Sequence, residues 1–211
     1  ELIISGPAAS RCAEVEAIAD ADEVGISAET AALLPPELVG EEKDGAFLLA
    51  REPELDDLPI VMRGSSEGVD LAGLLPVAVR AHLLSADGEP EHRRIAVAFV
   101  QFSGTDALLR DEGPEALAEA LDECMRNVQE ATARNGVTFF ETDINRDGGK
   151  VMLTAGAPAS LGNDEERMLR ATRRIVERIG RLPVRIGVNC GPVFAGDFGQ
   201  PFRRTFSVKG D

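Results

Sequence analysis

The chain is 211 residues long and 44% hydrophobic, and it carries 37 acidic against 22 basic side chains for a formal net charge of −15. That length suffices to bury the core of one ample domain or two small ones, while the acidic excess repels nucleic acid and anionic lipid from the average surface. No apolar run approaches the roughly 18 to 20 residues of a membrane span, and the opening ELIISGPAAS has neither the basic flank nor the apolar core of a signal peptide.

The chain does not begin with Met and is read as a piece of a longer protein. Cys12, Cys124 and Cys190 lack ligand-like spacing and are read as small buried hydrophobes of a protein in the reducing cytoplasm. In chain order, Ala9, Ala13 and Ala17 with Cys12, Val15 and Ile18 predict a helix over 8–21 packed closely on a sheet. A strand is expected at 23–26, then a brief helix capped by Ser27 and ended by Pro35 and Pro36, then a strand at 46–49. Residues 51–94 shift to Pro, Asp, Glu, Gly and Ser and read as a linker, interrupted by one amphipathic helix over 71–84. His82 is read as a helix-surface residue and His92 as part of a charged run, neither as a metal ligand.

A buried strand follows at 95–99, then a turn over 101–105. Pro114 opens a long helix with Leu117, Leu121, Cys124, Met125 and Val128 on its apolar stripe, ended by Asn135 and Gly136. Strands at 137–142 and 150–155 flank the hairpin-like DINRDGG. Asn163 and Glu166 read as a capping box for a helix lined by Met168, Leu169, Thr172, Val176 and Ile179. Short strands are expected at 184–188, 193–195 and 206–208, with Gly187, Gly191, Gly196 and Gly199 where backbone approaches a strand or ligand. The order strand, helix, strand, strand, helix, strand is the ferredoxin-like βαββαβ unit of an α+β fold.

Three stretches together resemble class III nucleotidyl cyclase domains, the adenylate and guanylate cyclases. The closing RIGVNCGPVFAGDFGQPFRRTFSVKGD is similar to the family's IGV, G.V..G..G and RR.Y.V.GD pattern, and a GAP lies at 156–158. The opening ISGPAASRCAEVEAIADADEVGISAETAALL is similar, without a gap, to the family's continuation V.GD.VN.AARLE..A..GE..VS..T...L. The resemblance implies that 1–50 is the C-terminal part of a first cyclase-like domain, 51–94 an acidic linker with one helix, and 95–211 the N-terminal and central part of a second. It also implies that the N-terminal segment completes the second domain, within the chain or by exchange with a neighbour.

Cyclisation in the family uses two divalent cations, magnesium or manganese, held by carboxylates. In FVQFSGTD, Gln101 stands at the first metal aspartate, and Asp106 could replace it only through an unusual loop. The second aspartate position falls on Gly149. A shift of one or two residues would restore Asp147, the alternative being that Asp147, Gly148 and Gly149 simply make the turn. The purine-reading lysine falls near Asn145 and the adenine-reading residue at Ser207, with Arg204 and Lys209 keeping positive charge nearby. The transition-state Asn and Arg are matched by Ser10 and Glu14, and a carboxylate there opposes developing negative charge. Phe102, Ser103, Gly104 and Thr105 keep the turn whose amides cup phosphate in active relatives, and equally suit an ordinary strand-to-helix turn.

The resemblance therefore implies a catalytically degenerate cyclase homology domain. It would pair with another cyclase-like domain of the same or a neighbouring chain, with ATP or GTP as the nucleotide and no nucleic-acid or membrane partner. Alternatives are an active adenylate cyclase, making cyclic AMP and pyrophosphate in a full-length tandem protein, and a protein-interaction module without nucleotide affinity.

Overall fold

The computed structural model describes residues 3–54, 68, 72–85, 90–178, 180–200 and 205–210. Its centre is β4 (Glu91–Ser103), which pairs antiparallel on one side with β6 (Gly148–Ala155) and on the other with β7 (Val184–Phe198). With β5 (Thr138–Asn145) and β8 (Thr205–Gly210) at the edges, the five-stranded order is β5-β6-β4-β7-β8.

Period-two alternation along β4 separates two cores. Ala96, Ala98, Val100 and Phe102 face α5 (Pro114–Asn135) and α6 (Asp164–Glu177), meeting Val128, Val151, Leu153 and Met168. Ile95 and Val97 lie on the other face, in a smaller cluster with Phe140, Val193, Ala195, Phe206 and Val208, covered by Val79 of α3 (Val77–Leu84). Farther along that face Phe99 is 50% exposed.

The α+β class and ferredoxin-like strand order agree with expectation, but several local readings change. The strand expected at 95–99 runs thirteen residues, through Gln101 to Ser103, and α4 (Thr105–Glu112) follows Gly104, whose left-handed φ of 93° turns the chain. The strands expected at 184–188 and 193–195 are one strand, because the intervening Asn189, Cys190 and Gly191 continue the ladder with β4. Gly196 does permit a close approach, as a Cβ there would lie 2.8 Å from Pro90, whereas Gly187 and Gly191 face open space.

The capping box does not form: Asn163 adopts a left-handed φ of 52° and caps nothing, and Asp164 instead accepts from Ser160 Oγ at 2.5 Å. On α6 the buried positions are Met168, Ala171, Thr172 and Ile175, while Leu169 is exposed; Ile179 lies outside the described residues. The linker helix is broken at Pro76 into a 3-10 turn, Ala72–Leu74, and α3. His82 is not a surface residue, since its ring packs 4.4 Å from Phe206 and its Nε2 lies 3.5 Å from Asp197. Cys124 is buried and Cys190 half-buried, but Cys12 is exposed, contrary to expectation.

The N-terminal segment forms α1 (Pro7–Glu16), shorter than the expected 8–21, and a separate antiparallel sheet of β1 (Gly25–Ile26), β3 (Ala46–Leu49) and β2 (Val39–Lys43), in the order β1-β3-β2. The short helix α2 (Ala28–Ala31) is capped by Ser27, which accepts from the Thr30 amide at 3.1 Å as expected. The segment packs on the larger unit within the same chain: Ile3 joins the main core, and Gly6 lies against Leu109 of α4. Among the described residues it contributes a helix to that unit and no strand to its sheet.

Candidate functional site

The residues implied for metal, phosphate and transition state converge at one corner, where the β5–β6 hairpin meets the end of β4 and the start of α4. Gln101 lies in register with Lys150 on β6 and Arg185 on β7. Its Oε1 accepts from Arg185 Nη2 at 2.9 Å, and Lys150 Nζ lies 3.6 Å from Asp143 on β5. A polar row of Asp143, Lys150, Gln101 and Arg185 thus crosses the sheet on the face opposite α5 and α6. Where a divalent cation would need negative charge, the strands on both sides of Gln101 present cations.

Gly149 cannot stand in for the second metal ligand. It pairs with Phe102 across the ladder and is turned toward the helical core, away from the Gln101 face. A Cβ there would lie 2.7 Å from Phe102 Cζ and 2.9 Å from the Asp143 carbonyl oxygen, so a carboxylate at this position has no room.

Asp147 occupies the hairpin turn with φ 54°. Its Oδ1 accepts from the Asp106 amide at 3.0 Å and its Oδ2 from the Gly104 amide at 3.1 Å. Its carbonyl oxygen also accepts from Gly104 at 2.9 Å, and the Ser103 amide donates to Pro183 O at 3.2 Å. The turn that would cup phosphate is therefore capped by this chain's own carboxylate, which satisfies donors at the positive end of α4. Asp106 joins that cap through its amide, and its Oδ1 accepts from Thr105 Oγ1 at 3.5 Å. Phe102 and Thr105 are fully buried, the first in the main core.

The hairpin tip also meets α1. The Asp147 amide donates to Ser10 Oγ at 2.8 Å, and Arg146 Nε lies 2.9 Å from Glu14 Oε1. Ser10 is buried and Glu14 half-buried. The two residues matched to the family's transition-state pair thus sit beside the hairpin, Ser10 from 137 residues away in sequence. No sequence signal pointed to Arg146, which answers Glu14 with a charge of opposite sign.

The base-reading positions do not join this corner. Ser207 and Lys209 pair with Gly196 and Phe194 near the far end of β7, while Gln101 pairs with Arg185 near its start. At about 3.3 Å per residue of strand they are more than 20 Å away. Ser207 is buried and Lys209 exposed, Arg204 lies outside the described residues, and Asn145 Oδ1 is used by the Arg146 amide at 2.9 Å. Among the described residues no three His, Cys, Asp or Glu side chains gather as a metal site. The donor set at this corner does not fit a pair of divalent cations.

No family model matches the chain. An uncharacterized protein of Mycobacterium tuberculosis strain H37Rv is 30% identical over 127 residues, 57% of this chain and 22% of that protein. The chain thus spans about a fifth of the length of the curated relatives it matches. Among solved structures, a bacterial light-regulated adenylyl cyclase superposes with TM-score 0.52 at 14% identity, covering 66% of this chain and 44% of that one. The guanylate cyclase domain of RhGC from Catenaria anguillulae, solved with GTP, covers 57% of this chain and 69% of that one, with TM-score 0.48 and 20% identity. The fold is that of class III nucleotidyl cyclase catalytic domains. Among the described residues no helix is long and apolar enough to cross a membrane.

Proposed function

We propose that this chain is a catalytically degenerate cyclase homology domain, acting as a regulatory or site-completing partner of another cyclase-like domain in cyclic-nucleotide signalling. The observation that carries the reading is the Gln101 row: a neutral side chain bonded to Arg185 and flanked by Lys150, where metal chemistry would need a carboxylate. Two further features support it, the Asp147 carboxylate spent on the Gly104 and Asp106 amides and the closed space at Gly149. In such a domain the fold is retained for pairing, while metal binding and charge stabilisation at phosphate are lost.

The chain is assayed at stoichiometric concentration with magnesium or manganese and either ATP or GTP. No cyclic nucleotide is expected; formation that disappears in Asp147→Ala would overturn the proposal. Calorimetric titration with a non-cyclisable ATP analogue and manganese separates a nucleotide-binding partner from a pure interaction module, which gives neither heat nor thermal stabilisation.

A further inference from the structure

The tip of the β5–β6 hairpin touches α1 through two polar contacts of different kinds. Asp147 donates its backbone amide to Ser10 Oγ at 2.8 Å, and Arg146 pairs with Glu14 at 2.9 Å. Ser10 and Glu14 are four residues apart and so share one face of α1. The amide contact accepts any small hydroxyl, but the charge contact has a sign. Glu14 is held for it: its Oε2 lies 3.3 Å from Arg11 Nη1, and Arg11 in turn donates to Gly45 O at 2.7 Å in the β2–β3 turn.

We propose that this hairpin tip is a charge-selective docking surface, filled here by the chain's own α1, which accepts a helix bearing a hydroxyl and a carboxylate at four-residue spacing and disfavours one with arginine at the Glu14 position. An arginine there would face Arg146, and its loss of attraction would be compounded by repulsion. The N-terminal unit thereby recognises the hairpin of its own second half. The docking rule stands on these contacts and does not rest on the proposed function.

The test is a charge-swap cycle on the full chain, read by hydrogen exchange at the α1 amides and at Asp147. Glu14→Arg and Arg146→Glu are each expected to speed exchange by about threefold or more, Glu14→Gln by less, and the Glu14→Arg/Arg146→Glu pair to recover part of that loss, short of the parent because Arg11 then faces a second arginine. High salt should shrink these differences, because the pair is partly exposed. Single variants indistinguishable from the parent, a Glu14→Gln effect equal to that of Glu14→Arg, or a double variant no better than its singles would each overturn the proposal. Cyclase activity does not enter the readout, so a failed activity assay and a failed cycle remain distinct results.

Discussion

Asp147 combines three roles in one residue: a left-handed turn, a cap on two α4 amides and a backbone contact to α1. Replacing it separates the first two roles. Asp147→Ala removes the carboxylate acceptor, at about 1–2 kcal/mol for a lost helix cap, and places a Cβ-bearing residue without local hydrogen bonding at φ 54°, at about 1–2 kcal/mol more. Asp147→Gly loses the cap but relieves the turn, so its cost is about 1–2 kcal/mol by the cap alone. Asp147→Asn keeps an acceptor and tolerates the left-handed turn, and should cost less than about 1 kcal/mol. For a chain of this size each kcal/mol is about 2–4 °C of Tm, so differential scanning calorimetry should resolve the order Asn, Gly, Ala of increasing damage. Faster exchange at the Gly104 and Asp106 amides should accompany the Gly and Ala variants. Equal losses for Gly and Ala, or an Asn variant as damaged as Ala, would refute the division of roles.

Restoring the implied metal carboxylate by Gly149→Asp should destabilise the chain by about 3 kcal/mol or more through overpacking and charge burial, seen as a lower urea midpoint and no manganese-dependent gain. Gln101→Asp should fold normally and pair with Arg185, with manganese again leaving Tm unchanged. The Cys124 thiol is pushed up to about 11 by burial and, secondarily, by the Glu123 charge, against 9.0 for an ordinary thiol. The unfolded chain therefore loses this proton first, so stability should fall between about pH 9 and 11 and the fall should weaken in Cys124→Ala. At pH 8 a thiol reagent should modify Cys12 quickly and Cys124 only on unfolding.

The long helix α5 was legible because its start, stripe and stop agree: Pro114, then Leu117, Cys124 and Val128, then Gly136 at φ 61°. The strands were legible as apolar runs but not in length, since polar and glycine residues within β4 and β7 are tolerated by the ladder and by faces left open. The site divided in the same way. Substitutions at Gln101 and Glu14 could be read as charge lost and charge reversed, and Ser10 as a lost amide, whereas the face of Gly149 depends on strand register, and a one-residue difference turns a side chain from one face to the other. The partners of Asp147 and Glu14 come from segments distant in sequence, which local pattern does not encode. The capping box failed because Asn163 takes a left-handed φ of 52° where an N-cap residue is extended, and its side chain makes no cap hydrogen bond.

The contact between Ser10 and Asp147 also sets an order of events during synthesis. The two residues are 137 positions apart, so at roughly 5–20 residues per second the hairpin leaves the ribosome about 7 to 27 s after α1. Through that interval α1, α2 and the three short strands beside them have no β5–β6 hairpin to dock on. Helix α1 thus reaches this contact only after a segment 137 positions downstream has emerged. A nascent chain halted before residue 138 should show α1 open to proteolysis, and one halted well beyond residue 155 should show it protected.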